Sequence, residues 1–186
     1  MVPGKVVEGG AELIGLNHLA WWSYKRKFGL PFTRISNSGN PPVILGGKRL
    51  GSAAAARLSR EMDRAQSLIG RAAKAVNADE PWKTRGAKIL DRRSLISGLK
   101  SIPMSRLCRL AFLEQLQTDN GVEARHQSWL GNLAMIKGGR LRKYWTETET
   151  HRCKGGNQQL AFKFKDKLKE LKLGKVVRGM KSIVTV

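Results

Sequence analysis

The stretch SAAAARLSREMDRAQSLIGRAAKAV, residues 52–76, decides the fold class. Its apolar residues recur at steps of three and four, which is the spacing of one helix face. They are Leu58, Met62, Ala65, Ile69, Ala72 and Val76. We therefore predict a helix from about Ser52 to Val76 whose apolar stripe packs against the rest of the chain. A two-helix coiled coil is the alternative, although about three heptads are marginal support for it.

Helices are also predicted on both sides of this stretch. Upstream, Asn17 can cap a helix that ends at Gly29 and places Trp21, Tyr24 and Phe28 on one face. Downstream, further residues can accept hydrogen bonds from the first turn of a helix, which is the role of an N-cap. Four helices are predicted there: from Asp91 to about Pro103, from Ser105 to about Thr118, from Ser128 to about Gly138, and from Asn157 to about Leu173.

Strand-like pieces are short and lie mainly toward the two ends of the chain. Residues 5–7 end in Val-Val before Gly9-Gly10, and residues 176–177 and 183–186 are also β-branched. Residues 43–50 predict a hairpin around a glycine pair. Because short strands need partners, we expect the ends to pair with each other or with a sheet whose remainder is missing here. The predicted fold class is therefore α+β, with a mainly helical middle.

Length and charge set broad limits on the function. The 186 residues allow one domain with some excess, since domains average roughly 150 residues. Hydrophobic residues make up 41% of the chain, which is enough for a core. The 35 Lys and Arg residues against 14 Asp and Glu give a net charge of +21. So strong a positive field attracts polyanions, but it does not set the fold.

Several classes of site lack support. Cys108 and Cys153 are the only cysteines, which excludes a disulfide framework or a four-thiolate zinc site within one chain. His18, His126 and His151 show no metal-ligand spacing, and no nucleophile elbow or phosphate-binding glycine motif occurs. The first residues lack the apolar core of a signal peptide, and no run approaches the roughly 18 apolar residues of a membrane span. The expected compartment is cytoplasmic.

Two glycine pairs and the basic clusters remain as candidate binding features. Gly9-Gly10 and Gly155-Gly156 would let a ligand approach the backbone closely, although each pair alone is more typical of a tight turn. Basic residues beside aromatic ones suit phosphate contact and base stacking. The densest basic cluster consists of Lys163, Lys165, Lys167, Lys169, Lys172, Lys175, Arg178 and Lys181. A solvated helix face is the alternative for this cluster.

Several segments together carry a family resemblance that covers nearly the whole chain. They are residues 7–15 (VEGGAELIG), Asn17-His18, residues 27–30, 43–50, 78–82, 90–95 and 152–160 (RCKGGNQQL), with residues 177–186 at the end. In this order they resemble the flavin-containing amine oxidases, which include monoamine oxidases and L-amino-acid oxidases. The resemblance implies FAD-dependent oxidative deamination of an amine or amino acid, in which the flavin takes a hydride equivalent and water hydrolyses the imine.

The resemblance also implies a domain division and site residues. Residues 1–16 would be the edge of an α/β flavin-binding domain, residues 17–160 a mostly helical substrate domain, and residues 161–186 a basic helix and strands that return to the flavin domain. The cofactor-binding residues implied are Glu8, Gly9, Gly10, Ala11, Glu12 and Ile183, the last near the adenine. Gln159 would line the substrate cavity, and no catalytic residue is implied.

The sequence departs from the family at both ends. The family's G-x-G-x-x-G motif, its acidic ribose-binding residue, its later flavin-contacting segment and its active-site lysine have no counterpart here. The resemblance therefore implies an internal piece, whose chemistry needs another chain to supply the missing flavin-binding half.

Three hypotheses remain open from the sequence. The chain is an oxidase segment that acts with such a partner, or a non-catalytic protein that binds nucleic acid or a ribonucleoprotein through its basic surface. Alternatively, it is a decayed reading frame without a selected activity.

Overall fold

Helices make up about half of the computed structural model, which describes residue 4 and residues 6–35 and 41–179. The helices are α1 (Leu19–Phe28), α2 (Ser52–Ala73), α3 (Ala87–Asp91), α4 (Leu95–Lys100), α5 (Arg106–Asn120), α6 (Trp129–Gly138), α7 (Tyr144–Glu147) and α8 (Gln158–Lys165). The strands are β1 (Leu13–Ile14), β2 (Phe32–Arg34), β3 (Ile44–Leu45), β4 (Lys48–Arg49) and β5 (His151–Cys153). This mixture confirms the α+β class. None of these helices is both long and apolar enough to cross a bilayer.

The main core forms where α2 packs against α5 and α6. The predicted apolar stripe of α2 is largely confirmed, because Leu58, Ala65 and Ile69 are buried. Near the end of the helix the buried residue is Ala73 rather than Ala72, since the row of contacts continues four residues after Ile69. The largest fully buried side chains that α5 and α6 contribute are Phe112, Leu116, Leu133 and Ile136.

Serine caps fix the starts of three helices. The Ser105 and Ser128 hydroxyls accept hydrogen bonds from Cys108 N and Gly131 N, which confirms both predicted caps. The prediction for Asp91 is wrong, because this residue ends α3 and Ser94 caps α4. The Asp91 carboxylate instead accepts a 2.6 Å hydrogen bond from the Ser128 hydroxyl, so it stabilises the start of α6.

The first helix begins one residue later than predicted. His18, not Asn17, occupies the N-cap position of α1, and it makes no side-chain capping bond. The predicted end is confirmed, since Gly29 has the left-handed conformation of a helix C-cap, with φ of 63°. The hairpin is confirmed as well: β3 and β4 pair around Gly46 and Gly47, which both have positive φ.

A three-stranded antiparallel sheet with the order β1-β5-β2 joins distant parts of the chain. Leu13 pairs with Arg152, and Phe32 pairs with Cys153. Ile14, Leu30 and Cys153 form a second, small core beneath this sheet. The sheet thereby links the predicted segment 1–16 to the end of the segment 17–160, and this division into domains stays a prediction.

Three predictions near the ends are wrong. Val6 and Val7 do not form a strand and are 61% and 72% exposed; the strand lies at β1, where Leu13 and Ile14 meet β5. The last helix ends at Lys165 rather than at Leu173, and every residue from 161 to 179 is exposed. A helical apolar pattern needs a packing surface to be stable, and none covers the later part of this segment. Residues 176–177 form no strand, and residues 183–186 lie outside the described residues.

Candidate functional site

The N-terminal segment, residues 6–12, folds back onto the turn that follows β5. The Glu8 carboxylate accepts a 2.5 Å hydrogen bond from the backbone N–H of Asn157. The Asn157 side-chain amide donates a 2.6 Å bond to the carbonyl of Ala11, and the Glu12 carboxylate forms an ion pair with Arg152. The structure therefore brings the predicted residues Glu8, Ala11 and Glu12 against the glycine turn at residues 155–156.

The glycines on this surface have different roles. Gly156 has a φ of +97°, and a Cβ there would lie 2.8 Å from Val6 Cγ1 and 3.2 Å from the Glu8 carboxylate. Only glycine therefore lets residues 6–8 pack so closely on the turn. Gly9 and Gly10 are exposed, and a Cβ on either would meet no heavy atom within 4 Å. Their backbone is open to a ligand.

A small cavity lies between the N-terminal segment and the turn. Its volume is about 230 Å³, and its lining residues are Val6, Glu8, Glu12, Thr33, Arg152, Cys153, Lys154, Gly155 and Gly156. Typical ligand pockets measure about 300–1,000 Å³, so this cavity can contact one part of a large cofactor but cannot enclose it. The Asn157 Oδ1 atom lies near this turn, is buried and has no hydrogen-bond donor among the described residues. Burial, followed by the Glu8 charge, raises the pKa of the Cys153 thiol.

Gln159 contacts the glycine turn itself. Its side-chain amide donates hydrogen bonds to the carbonyls of Lys154, at 2.5 Å, and Gly156, at 3.1 Å. These bonds hold the turn in place, and Gln159 lines neither this cavity nor the larger one described next. Its substrate-lining role stays a prediction, and Ile183 lies outside the described residues.

A larger cavity, of about 560 Å³, lies on the other side of β1. Three parts of the chain form its walls: the end of α5, the segment from α7 to residue 149, and the segment that contains Leu13 and His18. Its lining residues are Leu13, His18, Gln115, Asp119, Asn120, Tyr144, Trp145, Thr146, Thr148 and Glu149. We call it the acidic cavity, because Asp119 and Glu149 line it and no Lys or Arg does so. Its volume falls within the range of small-molecule sites.

The titratable groups of the acidic cavity share a negative field. Burial, and then the charge of Glu149, raises the pKa of the Asp119 carboxyl, while a hydrogen bond with Gln115 opposes this shift. Burial, followed by the charges of Asp119 and Glu149, raises the pKa of the Tyr144 hydroxyl to about 12. Among the described residues, neither carboxylate forms an ion pair with a Lys or Arg side chain.

Aromatic rings form another wall of the acidic cavity. The rings of Tyr144 and Trp145 meet edge to face with their centroids 4.8 Å apart, and Trp145 also packs on Phe112 in the main core. The Trp145 indole Nε1 is buried and finds no acceptor among the described residues. Both rings are therefore anchored by packing, while one polar atom of the wall lacks a partner.

Backbone contacts at Gly15 hold the two sides of the acidic cavity together. Leu16 N donates a 2.7 Å hydrogen bond to Glu147 O, and Thr150 N donates a 3.2 Å bond to Ile14 O. The Trp22 indole donates to Gly15 O, and His18 Nδ1 accepts from Gly15 N. These bonds fix β1 and the start of α1 against residues 146–150.

Sequence reasoning missed the acidic cavity. Its residues come from three segments far apart in the chain, and no local motif spans them. The one signal was residues 144–149, YWTETE, which combine aromatic and acidic residues in a strongly basic chain. Within the described ranges, no group of three or more His, Cys, Asp or Glu residues is placed to hold a metal ion.

Comparisons with known proteins reveal a similarity of fold. No family model and no curated protein matches the sequence. Among solved structures, cyclohexylamine oxidase from Brevibacterium oxydans IH-35A matches 90% of this chain and 39% of its own, with a TM-score of 0.76 and 19% identity. Putrescine oxidase bound to putrescine matches 91% of this chain and 40% of its own, with a TM-score of 0.73 and 20% identity. The chain thus spans about two fifths of these enzymes.

Proposed function

We propose that this chain, whose fold is that of a segment of the flavin-containing amine oxidases, forms the amine-binding part of such an oxidase. The observation that carries the proposal is the acidic cavity directly beside the segment Glu8–Glu12, since Leu13 lines the cavity and follows Glu12 in the chain. In this proposal, residues outside the matched segment hold most of the flavin, either on the same polypeptide or on another chain.

The residues around the glycine turn fit one edge of FAD. Gly9 and Gly10 present an open backbone, with no heavy atom within 4 Å of the position that a Cβ would take. A flat ring system can approach such a backbone closely. The small cavity between the N-terminal segment and the turn cannot take the whole cofactor, which agrees with a segment that covers 39% of the matched oxidase.

The chain's own residues would bind and orient the amine. When bound, FAD supplies a two-electron acceptor that takes a hydride equivalent from the carbon beside the amine nitrogen. The walls of the acidic cavity would hold the amine in place. The hydrogen bonds around Gly15 keep this cavity next to residues 8–12, which are the predicted cofactor-binding segment.

A chimaera tests the proposed function. This chain would replace the matched segment of cyclohexylamine oxidase, and the product would be purified and desalted after incubation with FAD. We expect it to retain the visible absorption bands of flavin and to form hydrogen peroxide from an added amine. A chimaera that is folded by circular dichroism but retains no flavin would overturn the proposal and would favour a decayed reading frame.

Two variants of this chimaera make the test specific. We expect Gly10→Val to reduce flavin retention at least tenfold, because a side chain there projects into the open space beside the backbone without touching the rest of the chain. The matched control is Gly179→Val, at an exposed glycine that also has open space around it. Equal flavin retention by both variants would show that the Gly9-Gly10 backbone does not contact the cofactor.

A second candidate function rests on the exposed segment of residues 161–179. Its acidic residues are Asp166 and Glu170, and its basic residues are Lys163, Lys165, Lys167, Lys169, Lys172, Lys175 and Arg178. Lys172 and Glu170 form a surface ion pair within this segment. Its side chains are free to contact the phosphates of a nucleic acid, which is the second hypothesis from the sequence. Since Phe162 is also exposed, base stacking is available as well.

Salt dependence tests this second function. We expect affinity for a labelled single-stranded RNA to fall about 10³-fold between 50 and 200 mM salt, because several phosphate contacts release counterions. Changing Lys163, Lys165, Lys167 and Lys169 to Gln should remove most of this binding. The control changes Lys48, Arg49, Arg57 and Arg60, which are exposed elsewhere and remove the same charge. Equal losses in both variants, or salt-independent binding, would contradict a specific basic site.

A further inference from the structure

An apolar row on the last helix continues past the point where that helix ends. Leu160, Phe164, Leu168 and Leu171 recur at steps of four, four and three residues, which is the spacing of one helix face. The helix α8 nevertheless ends at Lys165. We call these four apolar residues the α8 stripe.

The first half of the α8 stripe is packed and the second half is not. Leu160 packs against the small core beneath the three-stranded sheet, and Phe164 meets the ring of Phe28 in α1 edge to face, with the centroids 5.5 Å apart. Leu168 and Leu171 are 56% and 46% exposed. Most of a helix's stability in a protein comes from packing its apolar face. The rest of the stripe therefore needs a packing surface that the described residues do not supply.

The proposed function provides a source for this surface. Cyclohexylamine oxidase matches 90% of this chain but only 39% of its own, so about three fifths of such an oxidase lies outside the matched segment. The helix α8 follows directly after the glycine turn at residues 155–156, and residues 8–12, the predicted cofactor-binding segment, fold against that turn. A part that holds flavin against residues 8–12 is therefore close to α8 as well.

The lysines beside the stripe define the chemistry of the partner. In a helix continued to Leu171, Lys163 and Lys167 would border one side of the stripe, while Lys165 and Lys172 would border the other, since an α-helix has about 3.6 residues per turn. A complementary surface is apolar at its centre and acidic at its rim. A nucleic acid would contact the lysines and leave the leucines in water, so the leucines favour a folded protein part.

From these observations we infer that residues 166–171 complete α8 by folding onto the flavin-holding part of the oxidase, through an apolar surface with an acidic rim. This inference rests on the proposed function and adds the interface through which the two parts meet. The longer helix predicted from the sequence is then the form that this segment takes in the complete enzyme. The ordering of the segment is coupled to the binding of its partner.

Hydrogen exchange tests the inference with the chimaera described above, in which cyclohexylamine oxidase supplies the remaining part. Exchange of the amides of residues 166–171 is followed by mass spectrometry in the isolated chain and in the chimaera. We expect exchange at least a hundredfold slower in the chimaera, because helical hydrogen bonds then protect these amides. Equally fast exchange in both proteins would overturn the inference.

Serine variants of the chimaera show whether the stripe makes the contact. We expect Leu168→Ser and Leu171→Ser each to reduce the protection of residues 166–171 at least tenfold. The matched control is Leu173→Ser, because Leu173 is 82% exposed and would lie off the stripe in a continued helix. Equal losses in the control would contradict a contact through the stripe. Since Leu168 and Leu171 are exposed in the isolated chain, these changes should leave its fold intact, which circular dichroism checks.

Other partners would give different results in the isolated chain. Protection of residues 166–171 that rises with protein concentration would assign the stripe to a second copy of the chain. Protection caused by a single-stranded RNA, or by vesicles that contain anionic lipid, would assign it to that ligand if it matched the protection in the chimaera. Each of these outcomes would overturn the inference.

The two proposals fail separately. A chimaera that protects residues 166–171 but retains no flavin keeps the interface and loses the oxidase function. A chimaera that retains flavin and oxidises an added amine, while residues 166–171 exchange freely, keeps the oxidase function and loses the interface.

Discussion

Replacing Gly98 with alanine is expected to destabilise the fold by about 1–3 kcal/mol, the usual cost of overpacking a core. Gly98 is buried in α4. A Cβ there would lie 2.6 Å from Cγ of the Trp129 indole and closer still to Cδ2 and Cε3 of the same ring. The ring has little freedom to move, because Trp129 is 3% exposed and its backbone N–H donates a 2.8 Å bond to Arg93 O. The free energy of unfolding, measured with urea, checks this prediction.

Gly70→Ala is the matched control for this substitution. Gly70 is also buried in a helix, but a Cβ there would meet no heavy atom within 4 Å. Alanine should therefore stabilise α2 by about 0.5–1 kcal/mol, since glycine is the poorer helix former. Opposite signs for the two substitutions would isolate the contact with Trp129. A Gly98→Ala protein as stable as the wild type would contradict the close α4–α6 packing.

The helical core could be predicted from sequence because its signals are local. The apolar period of residues 52–76 and the serine caps at positions 105 and 128 each specify a helix within a few residues. Tertiary packing decided the cases that were wrong. Residues 166–173 have a helical pattern but no surface to pack against, and Val6-Val7 have strand propensity but no pairing partner.

The candidate site was predictable only where the resemblance applied. It singled out residues 8–12 and the glycine turn, and the structure brings these together through Asn157 and Arg152. The acidic cavity was not predictable, because Asp119 and Glu149 are 30 positions apart and only the fold brings their segments to one cavity. Charge patterns reveal an isolated acidic pair only when the fold is known.

Replacing Gly15 with alanine is expected to disturb both stability and the acidic cavity. A Cβ at this position would lie 2.5 Å from Thr148 O and 2.6 Å from Glu147 O, and backbone atoms cannot rotate away as a flexible side chain would. The strand β1 would have to move away from residues 146–150, breaking the hydrogen bond from Leu16 N to Glu147 O. We expect a loss of about 1–3 kcal/mol in the free energy of unfolding.

The same movement should separate Leu13 and His18 from the opposite wall of the acidic cavity, so the affinity of this cavity for an amine such as n-butylamine should also fall. Gly9→Ala is the matched control, because it lies in the same terminal segment and a Cβ there meets nothing within 4 Å. Its stability should stay within about 0.5 kcal/mol of the wild type, as for most exposed substitutions. Urea unfolding and calorimetric titration of both variants measure the two effects. If Gly15→Ala lost stability but kept its amine affinity, β1 would stabilise the fold without forming a wall of the binding site. If it lost neither, the close approach at Gly15 would be wrong.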